Sequence, residues 1–125
     1  MEENSKKYTV LVCDDEEGIR ESFNLILSDF YNLKFAHNGL QALEVLKDTK
    51  AHMMFLDIKM PKLQGLETLK RIKKAHPNLP VIVVSGYQSV EIAQEAIKNG
   101  ASNYIPKPFE SKQILKAVEE VIHRL

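Results

Sequence analysis

Five short apolar runs alternate with stretches whose apolar residues recur every three or four positions, and few folds accept that alternation. Tyr8 to Cys13, Met53 to Leu56 and Val81 to Val84 are close to continuously apolar, as strands buried on both faces of a parallel sheet are. Asn32 to Ala36 mixes Leu33 and Phe35 with Asn32 and Lys34, the pattern of an edge strand. The fifth run, Tyr104 and Ile105, is stopped by Pro106. Between the runs lie five apolar stripes at the helical period: Ile19, Phe23, Ile26 and Phe30; Leu40, Leu43 and Leu46; Leu66, Leu69 and Ile72; Val90, Ala93 and Ile97; and Ile114, Val118, Val121 and Leu125. The punctuation agrees. Asn38 with Gln41 suits an N-cap and its capping-box partner. Ser89 suits the N-cap of the fourth helix and Asn99-Gly100 its end. Pro77 closes the third helix. Strand then helix, five times over, predicts one α/β domain. Its doubly wound parallel sheet would have right-handed crossovers, strand order 2-1-3-4-5 and five flanking helices.

That fold gives the ends of the runs a shared address. Asp14 and Asp15 close the first run, Asp57 the third and Ser85 the fourth, and Lys107 follows the fifth. In open α/β sheets the edge beyond the carboxyl ends of the strands is where ligands bind. Three carboxylates, a hydroxyl and an ammonium in one crevice suit a divalent cation and a phosphoryl group. Each residue alone has a plainer reading. Asp14 or Asp15 could cap the first helix, Asp57 could be a turn residue before Pro61, Ser85 could open a Ser-Gly turn, and Lys107 could be a solvated surface lysine. Their joint placement favours a site.

Lys plus Arg and Asp plus Glu balance at 17 each, which argues against direct nucleic-acid binding, where excess positive charge carries affinity. The single Cys13 cannot close an internal disulfide and reads as a small core residue in a reducing compartment. No apolar stretch approaches the roughly 20 residues a membrane span needs, and the polar start, residues 1–7, reads as a flexible tail without a signal peptide. A cytoplasmic protein with residues 1–125 as one domain is expected. Lys70, Arg71, Lys73 and Lys74 read as the wet face of the third helix, and Met53 and Met54 as core filling.

The acidic pair after the first strand, Asp57-Ile58-Lys59-Met60-Pro61 with Gly65, then Ser85, and Lys107-Pro108-Phe109 resemble the response-regulator receiver family along essentially the whole chain. The stretch from Ser85 to Phe109 is also similar to receivers of nitrogen-regulation-type transcription regulators. The resemblance implies a flavodoxin-like fold and a two-component signalling role: a phosphoryl group taken from a phosphohistidine on a sensor histidine kinase. Asp57 is the expected phosphoacceptor, since a carboxylate can form an acyl phosphate. Mg²⁺ is the expected cofactor. Asp15 and Asp57 would be its direct ligands, with Asp14 acting directly or through water and the backbone carbonyl of Lys59 added by the resemblance. Lys107 and Ser85 would bind phosphoryl oxygens. Lys59 and Tyr87, each two positions beyond a site residue, would tune the lifetime of the acyl phosphate. The resemblance further implies a cis Lys107-Pro108 bond and a switch in which Ser85 and Tyr104 move together. Tyr104 alone also has a plainer reading, as a half-buried edge-strand tyrosine. The output surface would be the fourth helix, fifth strand and fifth helix. Its partner would be an unidentified downstream protein or output domain, with a phosphorylation-dependent homodimer as a further state.

Two rivals use the same ingredients. A Mg²⁺-dependent phosphatase or phosphotransferase of haloacid-dehalogenase-like type forms an aspartyl phosphate but places its nucleophile in Asp-x-Asp after the first strand; Cys13-Asp14-Asp15-Glu16 does not match. A flavin-binding electron carrier needs a Ser/Thr/Gly-rich phosphate loop there, where this chain has four consecutive acids, Asp14 to Glu17.

Overall fold

The computed structural model describes residues 6–58, 62–86 and 89–125, with 62–64 as backbone only. Strand and helix alternate as the sequence predicts: β1 (Thr9–Cys13), α1 (Glu17–Leu27), β2 (Asn32–Ala36), α2 (Gly39–Asp48), β3 (Met53–Leu56), α3 (Lys62–Ala75), β4 (Val81–Ser85), α4 (Val90–Lys98), β5 (Asn103–Pro106) and α5 (Ser111–Ile122). The five strands form one sheet in the order β2-β1-β3-β4-β5, with every pairing parallel. Of the expected tail, Lys6 and Lys7 are described, and the Lys6 carbonyl accepts a hydrogen bond from Asn32 Nδ2 at 2.7 Å.

Successive side chains on each strand feed opposite layers. Leu11, Cys13, Met54, Leu56, Val81 and Val83 pack with residues of α2, α3 and α4. Val10, Val12, Met53, Phe55, Ile82 and Val84 pack with α1 and α5. That two-sided burial is why β1, β3 and β4 read as continuous apolar runs, whereas β2, at the edge, alternates. Phe23 of α1 anchors the second layer, with its ring 4.8 Å from Phe55 and 5.2 Å from Phe109.

The helix ends follow local chemistry. Asn38 Oδ1 accepts from the Gln41 amide at 2.9 Å, and the Gln41 side chain accepts from His37 N–H, one residue earlier than a capping box would have it. Ser89 Oγ accepts from the Glu91 and Ile92 amides. Gly100, after α4, has φ 111°, a conformation that side chains with a Cβ rarely adopt. The apolar stripe of α3, and that of α5 as far as Val121, face the core as expected, but other helices differ in phase. In α4 the buried residues are Ile92 and Ala96, while Val90 and Ile97 are exposed. In α1 the stripe ends on buried Leu27, and Phe30 lies beyond the helix in solvent. Leu40 and Leu125 are likewise exposed. Within the basic run, Lys73 also departs from the solvated reading: its Nζ donates to the carbonyls of Pro77 and Leu79 at 3.0 and 2.7 Å.

Candidate functional site

Strand register brings the predicted residues together. Cys13 pairs with Leu56, and the Asp57 amide donates to the Cys13 carbonyl at 3.0 Å. One step past both strands, Asp14 and Asp57 therefore stand side by side. Ser85 pairs with Pro106, and the Lys107 amide donates to the Ser85 carbonyl at 2.8 Å. From there the Lys107 side chain reaches the acids: Nζ lies 3.0 Å from Asp14 Oδ2, 3.1 Å from Asp57 Oδ2 and 2.9 Å from Glu16 Oε1. The Lys107-Pro108 bond is cis, as the resemblance implied.

Burial differs sharply among these groups. The side chains of Asp14 and Asp57 are 3% and 4% exposed, that of Lys107 12%, and that of Glu16 47%. Burial by itself would lower the Lys107 pKa; hydrogen bonds to Glu16 and Asp14 and the charges of Asp14 and Asp57 outweigh it and hold the ammonium above its ordinary value. Lys107 is thus a cation throughout the physiological range. Asp14 does not cap α1. Its Oδ1 accepts from the Glu16 amide at 2.9 Å, a local turn that leads into the helix, whose N-cap residue is Glu16. Arg20 Nη1 donates to the Asp14 carbonyl at 2.7 Å, fixing the same turn from within α1.

Carboxylate oxygens of Asp14, Asp15, Glu16 and Asp57 all lie within 4.8 Å of one another. Acids packed so closely repel, and a cation relieves them. The donor set is all oxygen, which suits a hard divalent ion. The neighbouring Cys13 offers no competing soft ligand. Burial, then the charges of Asp14, Asp57 and Asp15, push its thiol up to about 12, and only the thiolate binds metals well. Beside the acids, a cavity of about 680 Å³ opens toward α2 and α3, lined by Asp14, Asp15 and Asp57 together with Leu40, Ile58 and Arg71 among others.

Ser85 ends β4 fully buried, and Tyr104, half-buried on β5, packs against the core layer that holds Val83 and Ile92. Lys59 and Tyr87 lie outside the described residues. Glu16 is the site residue that the sequence did not single out. It belongs to the acidic run, but its pairing with Lys107, 91 residues away, depends on how the segments after β1 and β5 meet in space. Among the described residues no helix is long and apolar enough to cross a membrane.

The family model of the response regulator receiver domain matches residues 10–119. The response regulator MprA of Mycobacterium ulcerans (strain Agy99) is 33% identical over 116 residues, which are 92% of this chain and 50% of that protein. The chain spans about half the length of the first curated relatives it matches. The solved receiver domain of NtrX from Brucella abortus is 38% identical with a TM-score of 0.84, over 91% of this chain and 98% of that one. The CheY-like response regulator receiver domain protein from Methanospirillum hungatei JF-1 has a TM-score of 0.86 at 28% identity, over 94% of each chain. These matches give the haloacid-dehalogenase-like alternative no support. Because the family match runs from β1 into α5 and its relatives are signalling proteins of one kind, the chain belongs to the response-regulator receiver family, as a receiver domain of a two-component response regulator.

Proposed function

We propose that this domain accepts a phosphoryl group on Asp57 from the phosphohistidine of a sensor histidine kinase, in the cytoplasm, and relays the change through α4, β5 and α5. The observation that carries the reading is the placement of the Lys107 ammonium between Asp14 and Asp57, at 3.0 and 3.1 Å. One cation fixes the nucleophile and is at hand for the group it receives. Asp14, Asp15 and Asp57, with the Lys59 carbonyl, would hold Mg²⁺. When bound, that ion neutralises phosphoryl charge and lets donor and acceptor anions approach.

In the transfer, an Asp57 oxygen forms a bond to phosphorus as the donor's P–N bond breaks, and the departing imidazole takes up a proton. Lys107 stabilises charge on one equatorial phosphoryl oxygen and the Ser85 hydroxyl on another. Water attacking phosphorus later restores the Asp57 carboxylate and releases phosphate, so the domain assists its own loading and unloading without turning over an external substrate. Lys59 and Tyr87 would set the rate of that return. Ser85, drawn toward the phosphoryl group, would shift Tyr104 and bias a pre-existing equilibrium at the α4, β5 and α5 surface. That surface would serve a downstream protein, an output domain or a second copy of the chain. The test is incubation with Mg²⁺ and a small acyl phosphate, read by intact-mass spectrometry. Wild type should gain one phosphate and Asp57→Asn none; an equal gain in both would move the acceptor elsewhere.

A further inference from the structure

We propose that Glu16 is a positioning residue that occupies Lys107 before loading, and that its displacement from Lys107 accompanies arrival of the phosphoryl group. The inference rests on the reading of Asp57 as phosphoacceptor. A lysine ammonium has three N–H donors. Three carboxylate oxygens already lie at hydrogen-bond distance from Lys107 Nζ: Glu16 Oε1 at 2.9 Å, Asp14 Oδ2 at 3.0 Å and Asp57 Oδ2 at 3.1 Å. A phosphoryl oxygen that takes a hydrogen bond from Lys107 therefore competes with these three.

The three are not equally replaceable. Asp14 is 3% exposed and its other oxygen is engaged by the Glu16 amide, so releasing it would break a buried ion pair that water cannot replace, a large cost. Asp57 is 4% exposed and is the group that carries the phosphoryl. Glu16 is 47% exposed, so water takes over its solvation when the lysine turns away, and ion pairs this open contribute little. Although Glu16 is the N-cap residue of α1, its side chain makes no capping hydrogen bond. A phosphoryl group also brings negative charge to the corner where Glu16 stands, so repulsion and competition for Lys107 act in the same direction. The expected exchange is a Lys107–Glu16 hydrogen bond for a Lys107–phosphoryl one.

The isosteric variant Glu16→Gln tests this. At saturating Mg²⁺ it should be loaded by an acyl phosphate, and should bind the phosphoryl mimic beryllofluoride, about two- to five-fold better than wild type, the range an open ion pair can give. A crystal structure of the wild-type complex with Mg²⁺ and beryllofluoride should show Lys107 Nζ on a fluoride and beyond hydrogen-bond distance from Glu16, a readout that a purely structural role would not move. Loading and beryllofluoride affinity equal to or below wild type in Glu16→Gln, or an intact Glu16–Lys107 pair in that complex, would overturn the inference while the assigned function stands. A wild-type protein that takes up neither probe would instead overturn the function, and this inference with it.

Discussion

Cys13 shows how strongly one corner of the molecule shapes its own chemistry. It sits one residue before Asp14, 4% exposed, where burial and three nearby carboxylates all disfavour a thiolate. Its pKa, pushed up to about 12, makes the only cysteine of the chain inert in the native state. An ordinary thiol titrates at about 8.5, so the sign of the pH effect follows. Below that value folded and unfolded chains both hold the proton and the contribution of Cys13 to stability is constant. Between the two values the unfolded chain releases the proton first, and stability falls as pH rises. At pH 8 iodoacetamide should therefore leave folded protein unmodified and alkylate Cys13 only in denaturant. Modification of the folded protein at the rate of a free thiol would mean that the acids and the core do not surround it in this way. The same negative field makes Lys107 important: of the four carboxylates that lie within 4.8 Å of one another, Asp14, Glu16 and Asp57 pair with its ammonium.

At the scale of elements, α3 holds the end of β3 in place by close approach. A Cβ built on Gly65 would lie 2.5 Å from Ile58 Cβ, 2.6 Å from its carbonyl oxygen and 2.7 Å from its Cα. The main chain immediately after Asp57 thus leaves no room for a side chain in the first turns of α3. Gly65→Ala must push the helix from the strand end, at a cost of about 1–3 kcal/mol typical of overpacking, and should also slow loading of Asp57. Urea unfolding and the phosphorylation assay measure the two effects, and unchanged values in both would show that the contact is slack. The sequence placed Gly65 in the motif that follows Asp57 and could show no more, because its contact with Ile58 arises only when α3 packs against the segment after β3. The helices were readable in period but less so in phase. α4 carries Val90, Ile92, Ala93, Ala96 and Ile97 around much of its circumference, and only packing against the sheet selects Ile92 and Ala96 for burial. The stripe read from the sequence, Val90, Ala93 and Ile97, includes two residues that face solvent. α3 and α5 offered one apolar face each, and there period and phase were read together.

The whole molecule sorts charge that its composition hides. Lys plus Arg equals Asp plus Glu over the chain, yet the carboxyl edge of the sheet gathers Asp14, Asp15, Glu16 and Asp57 around Lys107. The convergence of Asp14, Asp57 and Lys107 could be read from the sequence because parallel strands place their ends on one edge. Glu16 could not, because its pairing with Lys107 depends on how the segments after β1 and β5 meet in space. An edge so loaded with acid should make the stability of the fold depend on a divalent cation. A ligand that binds only the folded state at a hundred times its Kd adds about 2.7 kcal/mol. Wild type should therefore gain stability as Mg²⁺ is titrated into metal-free buffer, and the gain should follow the local charge. Lys107→Met removes the only ammonium paired with Asp14 and Asp57 among the described residues. It should be the less stable protein without metal, by about 3–5 kcal/mol, and should gain more from Mg²⁺ than wild type. Asp57→Asn removes one acid and should gain less. Denaturant midpoints for the three proteins, measured with and without Mg²⁺, give the order directly. Equal gains in all three would separate the Mg²⁺ effect from these side chains and place the cation somewhere else.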